Sequence, residues 1–447
     1  PSYSWSGHQL RQRIMEEWRK LALLLCVYGV LKELRPLEPY ITRFFNEPPM
    51  NFSMEQINVE IYPISVYSNL LTLILIFLVT DLLRYKPIII LNSFAGIALY
   101  IILIVCRSEL AIQFVEVLYG LYLSCEVAYY TYIYAKVDPS HYQEVTGYTR
   151  AAYLTGRALS GITSQILIAC GLHLMTLAHI TLGVLIISSL WAISLPSVAN
   201  AIYFHRSTDL QSPNSDDNGY SGKIKAGFKL LYNDFIEAFS QVDIRKYVFW
   251  WALCNGGYLQ VLQFVQVLWE ETSANSKEEL VYNGGVEAVC TFMGALGAFS
   301  FGRWRADWDL YGELVLSLGA LSLGGVLILM AFTKSMVIAY ITYIAFSALY
   351  NAVVTIAKSQ IACHIKSDST GLIFGITVFL ALILQTLITL ILVQYLQFSA
   401  KLQFSLYGYY YVLIGIIFGV KWIYSCFTRL REERRTERND EKNEEIN

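Results

Sequence analysis

The chain has 447 residues, 55% of them hydrophobic and 15% charged, with a formal net charge of −2. A mean hydropathy of +0.45 points to lipid rather than water as its solvent, and the near-neutral charge gives no reason to expect nucleic acid as a partner. The eight cysteines form no C-x-x-C pair and no cluster with histidine, so neither a zinc site nor a disulfide framework is indicated.

Runs of about 20 mainly apolar residues, the length that crosses a hydrocarbon core, fall near 18–35, 61–81, 87–106, 111–135, 146–170, 174–195, 246–269, 282–302, 309–332, 335–360, 370–396 and 403–426. This predicts an all-α integral membrane protein of twelve transmembrane helices. Its expected parts are an N-terminal six-helix half (1–195), a cytoplasmic central loop (196–245), a C-terminal six-helix half (246–426) and a charged, disordered cytoplasmic tail (427–447). The charged start runs straight into the first span, which is expected to act as its own targeting signal. In the central loop, residues 207–222 are rich in Asp, Ser, Asn and Gly and read as disordered. Residues 224–241 space Ile224, Phe228, Leu231, Phe235 and Phe239 for an amphipathic helix on the inner leaflet.

Lys and Arg concentrate in cytoplasmic loops. Arg11, Arg13, Arg19 and Lys20, alternate loops with Arg84/Lys86, Lys136/Arg150, Arg303/Arg305 and Lys366, and the tail from Arg429 to Arg438 fall on one side. The other side carries Arg43, Arg107, Lys277, Lys334 and Lys401. Both termini are thus expected in the cytoplasm and the sequon Asn51-Phe52-Ser53 outside, with Asn51 a candidate glycosylation site. Cys106 and Cys170 also fall near the outer face, where a bridge between them is open.

The fourth span places Tyr119, Tyr122, Glu126, Tyr129 and Tyr130 on one helical face. A carboxylate near the bilayer centre costs on the order of 3 kcal/mol and is retained for a reason. Glu126 serves either as a partner for a neighbouring Arg or as the anchor of a cationic aromatic ligand, which tyrosine rings would also favour. Arg157, in the fifth span, is the expected partner for Glu126 or for a substrate carboxylate, whereas Lys358 sits where it can snorkel to the inner surface. Asn255, Tyr258, Gln260, Gln263 and Gln266 give the seventh span a polar stripe. Asn283 and Glu287 are neighbours one turn apart in the eighth, suited to helix packing or to lining a cavity. Glu313 opens the ninth span, where the helix dipole alone accounts for an acid. Asp81, Arg84, Lys86 and Arg303 lie in two inner loops at equivalent places in the halves, as gate residues or as plain positive-inside markers.

In order and spacing, several motifs resemble the reduced folate carrier and thiamine transporter family, a branch of the major facilitator superfamily. They include Arg35-Pro36-Leu37-Glu38-Pro39, Ile61-Tyr62-Pro63, Thr80-Asp81 with Arg84-Tyr85-Lys86-Pro87, and Glu126-Val127-Ala128-Tyr129-Tyr130. Further along stand His141-Tyr142-Gln143, Trp250-Trp251-Ala252, Tyr282-Asn283-Gly284 with Glu287, and Trp308-Asp309 with Gly312-Glu313. The resemblance implies a major facilitator fold of two six-helix halves that carries a vitamin by alternating access, with no enzyme activity, cofactor or metal. Folate-type members carry Arg, Arg and Lys where this chain has Glu126, Asn351 and Gln385. Their loss, with Glu38, Glu126, Tyr129, Asn283 and Glu313 matching the thiamine type, implies thiamine as substrate and folate or another anionic vitamin as the alternative. A nontransporting vitamin receptor is a third reading. The expected binding set is Glu38, Tyr62, Tyr122, Glu126, Tyr129, Arg157, Asn283 and Glu313, in a plasma-membrane monomer. Ser65, where thiamine members carry Trp, and Arg157, where neutral residues are usual, depart from the pattern.

Overall fold

A computed structural model describes residues 7–136, 141–197, 232–233, 235–237, 239–273, 281–302, 308–364 and 370–444. Its long helices are α1 (Gly7–Glu33), α2 (Tyr62–Leu82), α3 (Lys86–Val105), α4 (Glu109–Lys136), α5 (Tyr142–Ala169), α6 (Leu174–Ser194), α7 (Val242–Ser273), α8 (Asn283–Gly302), α9 (Trp308–Phe332), α10 (Met336–His364), α11 (Thr370–Ile388) and α12 (Ala400–Glu444). Among the described residues eight of these, α2 to α4, α6 and α9 to α12, contain stretches long and apolar enough to cross a membrane. The other four, α1, α5, α7 and α8, supply many of the charged and amide side chains of the interior. Leu71, Leu75, Phe114, Leu190, Ile416 and Val420 are exposed on the bundle surface, as expected where the surrounding medium is hydrocarbon.

Helix boundaries follow the prolines. Pro63 and Pro87 sit in the first turns of α2 and α3, where a missing N–H removes no helical bond. Between these helices the chain reverses through Arg84 and Tyr85, both at positive φ (60° and 65°). That unusual backbone for side-chain-bearing residues buries Tyr85 and leaves Arg84 exposed. Wide π-type turns extend α2 backwards (Gln56–Ile61) and α11 forwards (Thr389–Tyr395).

The two halves meet most closely where α5 crosses α8. A Cβ on Gly284 would lie 2.3 Å from Ser164 Oγ and 2.7 Å from the Gly161 carbonyl oxygen, so only glycine permits this approach. Further hydrogen bonds join the halves at the end of the bundle remote from both termini, the distal end. Tyr40 OH donates to Gln165 Oε1 at 2.8 Å and accepts from Gly284 N at 3.3 Å. Gly285 N donates to Gln165 Oε1 at 3.0 Å, and Tyr67 OH donates to Gln394 Oε1 at 2.8 Å.

Two expectations change. The charged tail expected to be disordered is helical to Glu444, as a continuation of the α12 helix through a segment rich in Arg, Glu and Lys, which are good helix formers. The span expected from 18 starts as helix already at Gly7. Cys106 and Cys170 are free thiols. The segment 207–222, expected to be disordered, and most of 224–241, expected to form an amphipathic helix, lie outside the described residues; Phe235 and Phe239 within the latter have ring centroids 4.5 Å apart.

Candidate substrate cavity between the halves

The motif Arg35-Pro36-Leu37-Glu38-Pro39 cannot continue α1, because each proline disfavours helix at the residue before it. The chain turns through a single 3-10 turn, Glu38–Tyr40, into a short helix, Ile41–Asn46. The turn lies between the halves and projects Arg35 and Glu38 into the space they enclose. That space is a cavity of about 300 Å³. The first half lines it with Glu33, Arg35, Glu38, Asn69, Tyr119, Glu126, Tyr153 and Arg157, and the second with Gln263, Gln266, Trp269, Asn283, Glu287, Tyr343 and Gln385.

Its charges form a linked set of five groups and a separate pair. Lys32 is 1% exposed; its Nζ lies 3.1 Å from Glu33 Oε1 and is ion-paired with Glu126. Arg35 donates from Nη1 to Glu38 Oε1 at 2.6 Å, and its Nη2 is 3.6 Å from Glu33 Oε2. Arg157 pairs with Glu287 across the halves. Four carboxylates thus face three cations, which leaves one negative charge for a ligand to balance.

A side chamber of about 90 Å³ opens beside Glu38, Tyr119, Leu262, Gln263 and Gln266, walled by Phe45, Tyr62, Tyr100 and Glu116. Glu116 is 4% exposed, and its Oε2 has no hydrogen-bond partner. An acid lacking one of its hydrogen bonds beside four aromatic rings is suited to a flat ring carrying amino or ring N–H donors.

The sequence-predicted residues distribute as follows. Glu38, Glu126, Arg157 and Asn283 line the main cavity, and Asn283 Oδ1 accepts a 2.8 Å bond from Tyr340 OH. Tyr62 lines the side chamber and is bonded to the Thr42 hydroxyl. Tyr122 and Tyr129 stand behind the wall instead of lining it. Their hydroxyls donate to the carbonyls of Lys32 (3.1 Å) and Leu25 (3.0 Å), and their rings lie 6.0 Å and 5.6 Å from Lys32 Nζ. The tyrosine stripe therefore cradles a resident ammonium, and the member that reaches the cavity is Tyr119.

The expected Arg157–Glu126 pairing is also corrected. The glycine crossing sets α5 against α8, which brings position 157, one turn from Gly161, to position 287, one turn from Gly284. Glu126 finds Lys32 instead. Glu313 is not among the residues lining the cavity: its carboxylate accepts from Ser425 Oγ at 3.0 Å and lies 3.3 Å and 4.0 Å from the ammonium groups of Lys421 and Lys246, between α7, α9 and α12. Of the loop residues, Arg84 is exposed and Lys86 half-buried; the side chain of Asp81 and all of Arg303 lie outside the described residues. Asn51 is exposed in the distal loop before α2.

Sequence reasoning missed Lys32, Arg35 and Glu116. Lys32 and Arg35 stand at the end of the first span, where basic residues read as flanks. Glu116 obeys the same rule that singled out Glu126, an acid within an apolar helix, and that signal was sufficient to find it.

A family model described as reduced folate carrier matches residues 16–406. Thiamine transporter 2 of Homo sapiens is 32% identical over 460 residues, covering 94% of this chain and 92% of that protein. The reduced folate transporter of Homo sapiens is 30% identical over 425 residues, covering 90% and 72%. Among solved structures, a POT family transporter bound to a thioalcohol-conjugated peptide superposes with a TM-score of 0.63 at 12% identity, covering 90% of this chain and 96% of that one. The helical architecture is that of the major facilitator transporters, and the extent of the family match, with relatives at this identity over nearly the whole chain, shows that the chain belongs to the reduced folate carrier family.

Proposed function

We propose that this protein transports thiamine, or a closely similar monocationic heteroaromatic vitamin, by alternating access. The observation that carries the reading is the charge of the cavity wall, in which Glu33, Glu38, Glu126 and Glu287 outnumber Lys32, Arg35 and Arg157 by one. A monocation completes this balance, while its flat ring is accommodated by Tyr119 and the aromatic side chamber with Glu116. The likeness to proteins named thiamine transporters supports the same choice.

The comparable likeness to a protein named as a reduced folate transporter favours folate as the second reading. Against it stands the pairing of each cavity cation with a carboxylate, so a dianion would have to displace a resident partner. Asn351 and Gln385 are neutral.

With the termini in the cytoplasm of a plasma-membrane monomer, the distal end faces outside and its interlocking hydrogen bonds describe a state closed outward. Asp81, Arg84, Lys86 and Arg303 would then act at the opposite gate, and Asn51 would carry the glycan. The membrane potential alone favours entry of a monocation by about 2.3 kcal/mol per 100 mV. Uptake of labelled thiamine and labelled folate into cells expressing the protein is the deciding experiment. Saturable thiamine uptake without folate uptake is the expected result; the reverse would assign the cavity to anions.

A further inference from the structure

Beyond its membrane-spanning part α12 continues as helix to Glu444, and residues 429–444 include six basic and six acidic residues. With no net charge the segment as a whole is not drawn to a charged surface, so any such attraction depends on how the charges are arranged. Among charged residues four apart, six pairs are alike (Arg431/Arg435, Arg434/Arg438, Arg438/Lys442, Glu433/Glu437, Glu437/Glu441 and Asp440/Glu444) and one is opposite (Arg429/Glu433), while pairs three apart divide evenly. Like charges one turn apart oppose helix formation, so this order does not serve the helix itself. It sorts the charges instead. At about 100° per residue, Arg431, Arg434, Arg435, Arg438 and Lys442 fall within one arc of about 100°, and Glu433, Glu437, Asp440, Glu441 and Glu444 within another of similar width centred about 130° away.

The basic arc has a definite place on α12. Tyr409, Leu413, Ile416, Val420, Tyr424 and Phe427 are exposed on the spanning part; they repeat every three or four residues and so form the stripe that faces the acyl chains. The same spacing continues through Arg431, Arg435, Arg438 and Lys442. One stripe of one helix thus passes from aliphatic residues through Tyr424 and Phe427 to basic ones, the order of media met on leaving a bilayer. Arg431, the first basic residue of the stripe, is exposed, and Cα–Cβ bonds in a helix lean towards its N-terminus, here back towards the lipid. Positions 434 and 435 lie about 10–12 Å beyond Phe427 along the axis at the helical rise, roughly one Debye length from that level.

We propose that this basic stripe docks on the anionic headgroups of the leaflet from which α12 emerges, with phosphatidylserine as the representative lipid. The acidic arc is repelled by the same surface, so the tail is held in one rotational setting. Six residues before Arg431, Ser425 is bonded to Glu313, so the docked tail is joined through one continuous helix to the packing of α9 at the terminal end. Anionic lipids concentrate in the cytoplasmic leaflet, so use of this surface in the cell rests on the orientation proposed above. Lipid binding by the purified protein does not.

The test uses purified full-length protein held on resin by an N-terminal tag, in mixed micelles of detergent with radiolabelled phosphatidylserine or phosphatidylcholine. Wild type should retain phosphatidylserine saturably and in preference to phosphatidylcholine, and added salt should weaken the retention. Each basic residue near the headgroups contributes about fivefold, so the combined change Arg431→Gln, Arg434→Gln and Arg435→Gln should weaken it by about tenfold or more. A second variant keeps the composition and breaks the stripe: Glu433→Arg with Arg434→Glu, and Glu437→Arg with Arg438→Glu. It should also bind at least several-fold more weakly, with both variants keeping the wild-type melting temperature. Equal retention of the two lipids, or wild-type retention by either variant, would overturn the docking surface. A salt-sensitive dimer of the wild type that the triple change abolishes would assign the stripe to a second copy of the chain instead. None of these outcomes depends on whether the cavity takes thiamine or on which side the termini lie.

Discussion

Lys32 and Glu126 form an ion pair between α1 and α4, closed off from behind by the rings of Tyr122 and Tyr129. The carboxylate side reaches the cavity, whereas the ammonium side is buried. Glu126 thus has two tasks, to neutralise Lys32 and to present negative charge to a ligand.

These tasks separate by mutation. Glu126→Gln should lower the melting temperature, because the buried ammonium keeps only Glu33, and should weaken thiamine binding by roughly 1.5–3 kcal/mol. Adding Lys32→Gln should restore the melting temperature but not the affinity. Recovery of both, measured on purified protein, would make the pair purely structural.

The Arg157–Glu287 pair joins the halves and is partly open to the cavity. Arg157→Gln or Glu287→Gln alone should reduce thiamine uptake by about thirtyfold, the ~2 kcal/mol at the lower end of the range for leaving one charge of a buried pair unmatched. The exchanged pair, Arg157→Glu with Glu287→Arg, should recover part of the rate. Equal and independent losses in the singles and the exchange would show that each residue acts alone.

Glu116 offers a sharper contrast. Its Oε2 lacks a partner in an aromatic chamber, so Glu116→Gln should leave the melting temperature unchanged or higher, since it removes a poorly solvated carboxyl group. Thiamine affinity should nevertheless fall several-fold, the effect of losing one hydrogen bond of about 1 kcal/mol. Unaltered affinity would exclude the chamber from the binding site.

Tyr40 is central to the distal closure, accepting from Gly284 N and donating to Gln165. Tyr40→Phe removes both bonds while keeping the ring, and should shift the population towards a distal-open state. Ser160→Cys, introduced where Ser160 lines the cavity and with Cys106 and Cys170 replaced by Ser, reports this shift. Its labelling by an impermeant maleimide added outside intact cells should be several-fold faster with Tyr40→Phe, because two hydrogen bonds of about 1 kcal/mol each oppose opening. Equal labelling rates would mean that the closure is held elsewhere.

The proposed orientation is tested most simply. A C-terminal tag should resist protease added to intact cells, and Asn51→Gln should increase the mobility of the protein on gels by removing a glycan. Digestion of the tag from outside would invert the assignment of both ends.

The long apolar runs were legible in the sequence because hydrocarbon demands an uninterrupted apolar helix and closes every other route for the backbone. The polar break at 196–245, the prolines that open α2 and α3 and the family motifs were equally local features. Glu126 stood out for the same reason, as an acid where acids are costly. Its partner did not, because Lys32 follows from the packing of α1 beside α4, and at a helix end a buried lysine and a solvated one look alike in one dimension. Arg157, one of two cations that the sequence places within the spans, is expected beside Glu126 or a substrate carboxylate, but the Gly161–Gly284 crossing places it against Glu287, 130 residues away. Tyr122, Tyr129 and Tyr119 share one helical face, and periodicity cannot tell which of them reaches the cavity, since that depends on where α1 covers the stripe. The sequence by itself determined the solvent, the helices and the family. Which charges neutralise one another, and which one is left for a ligand, was decided by tertiary contacts between helices far apart in the chain.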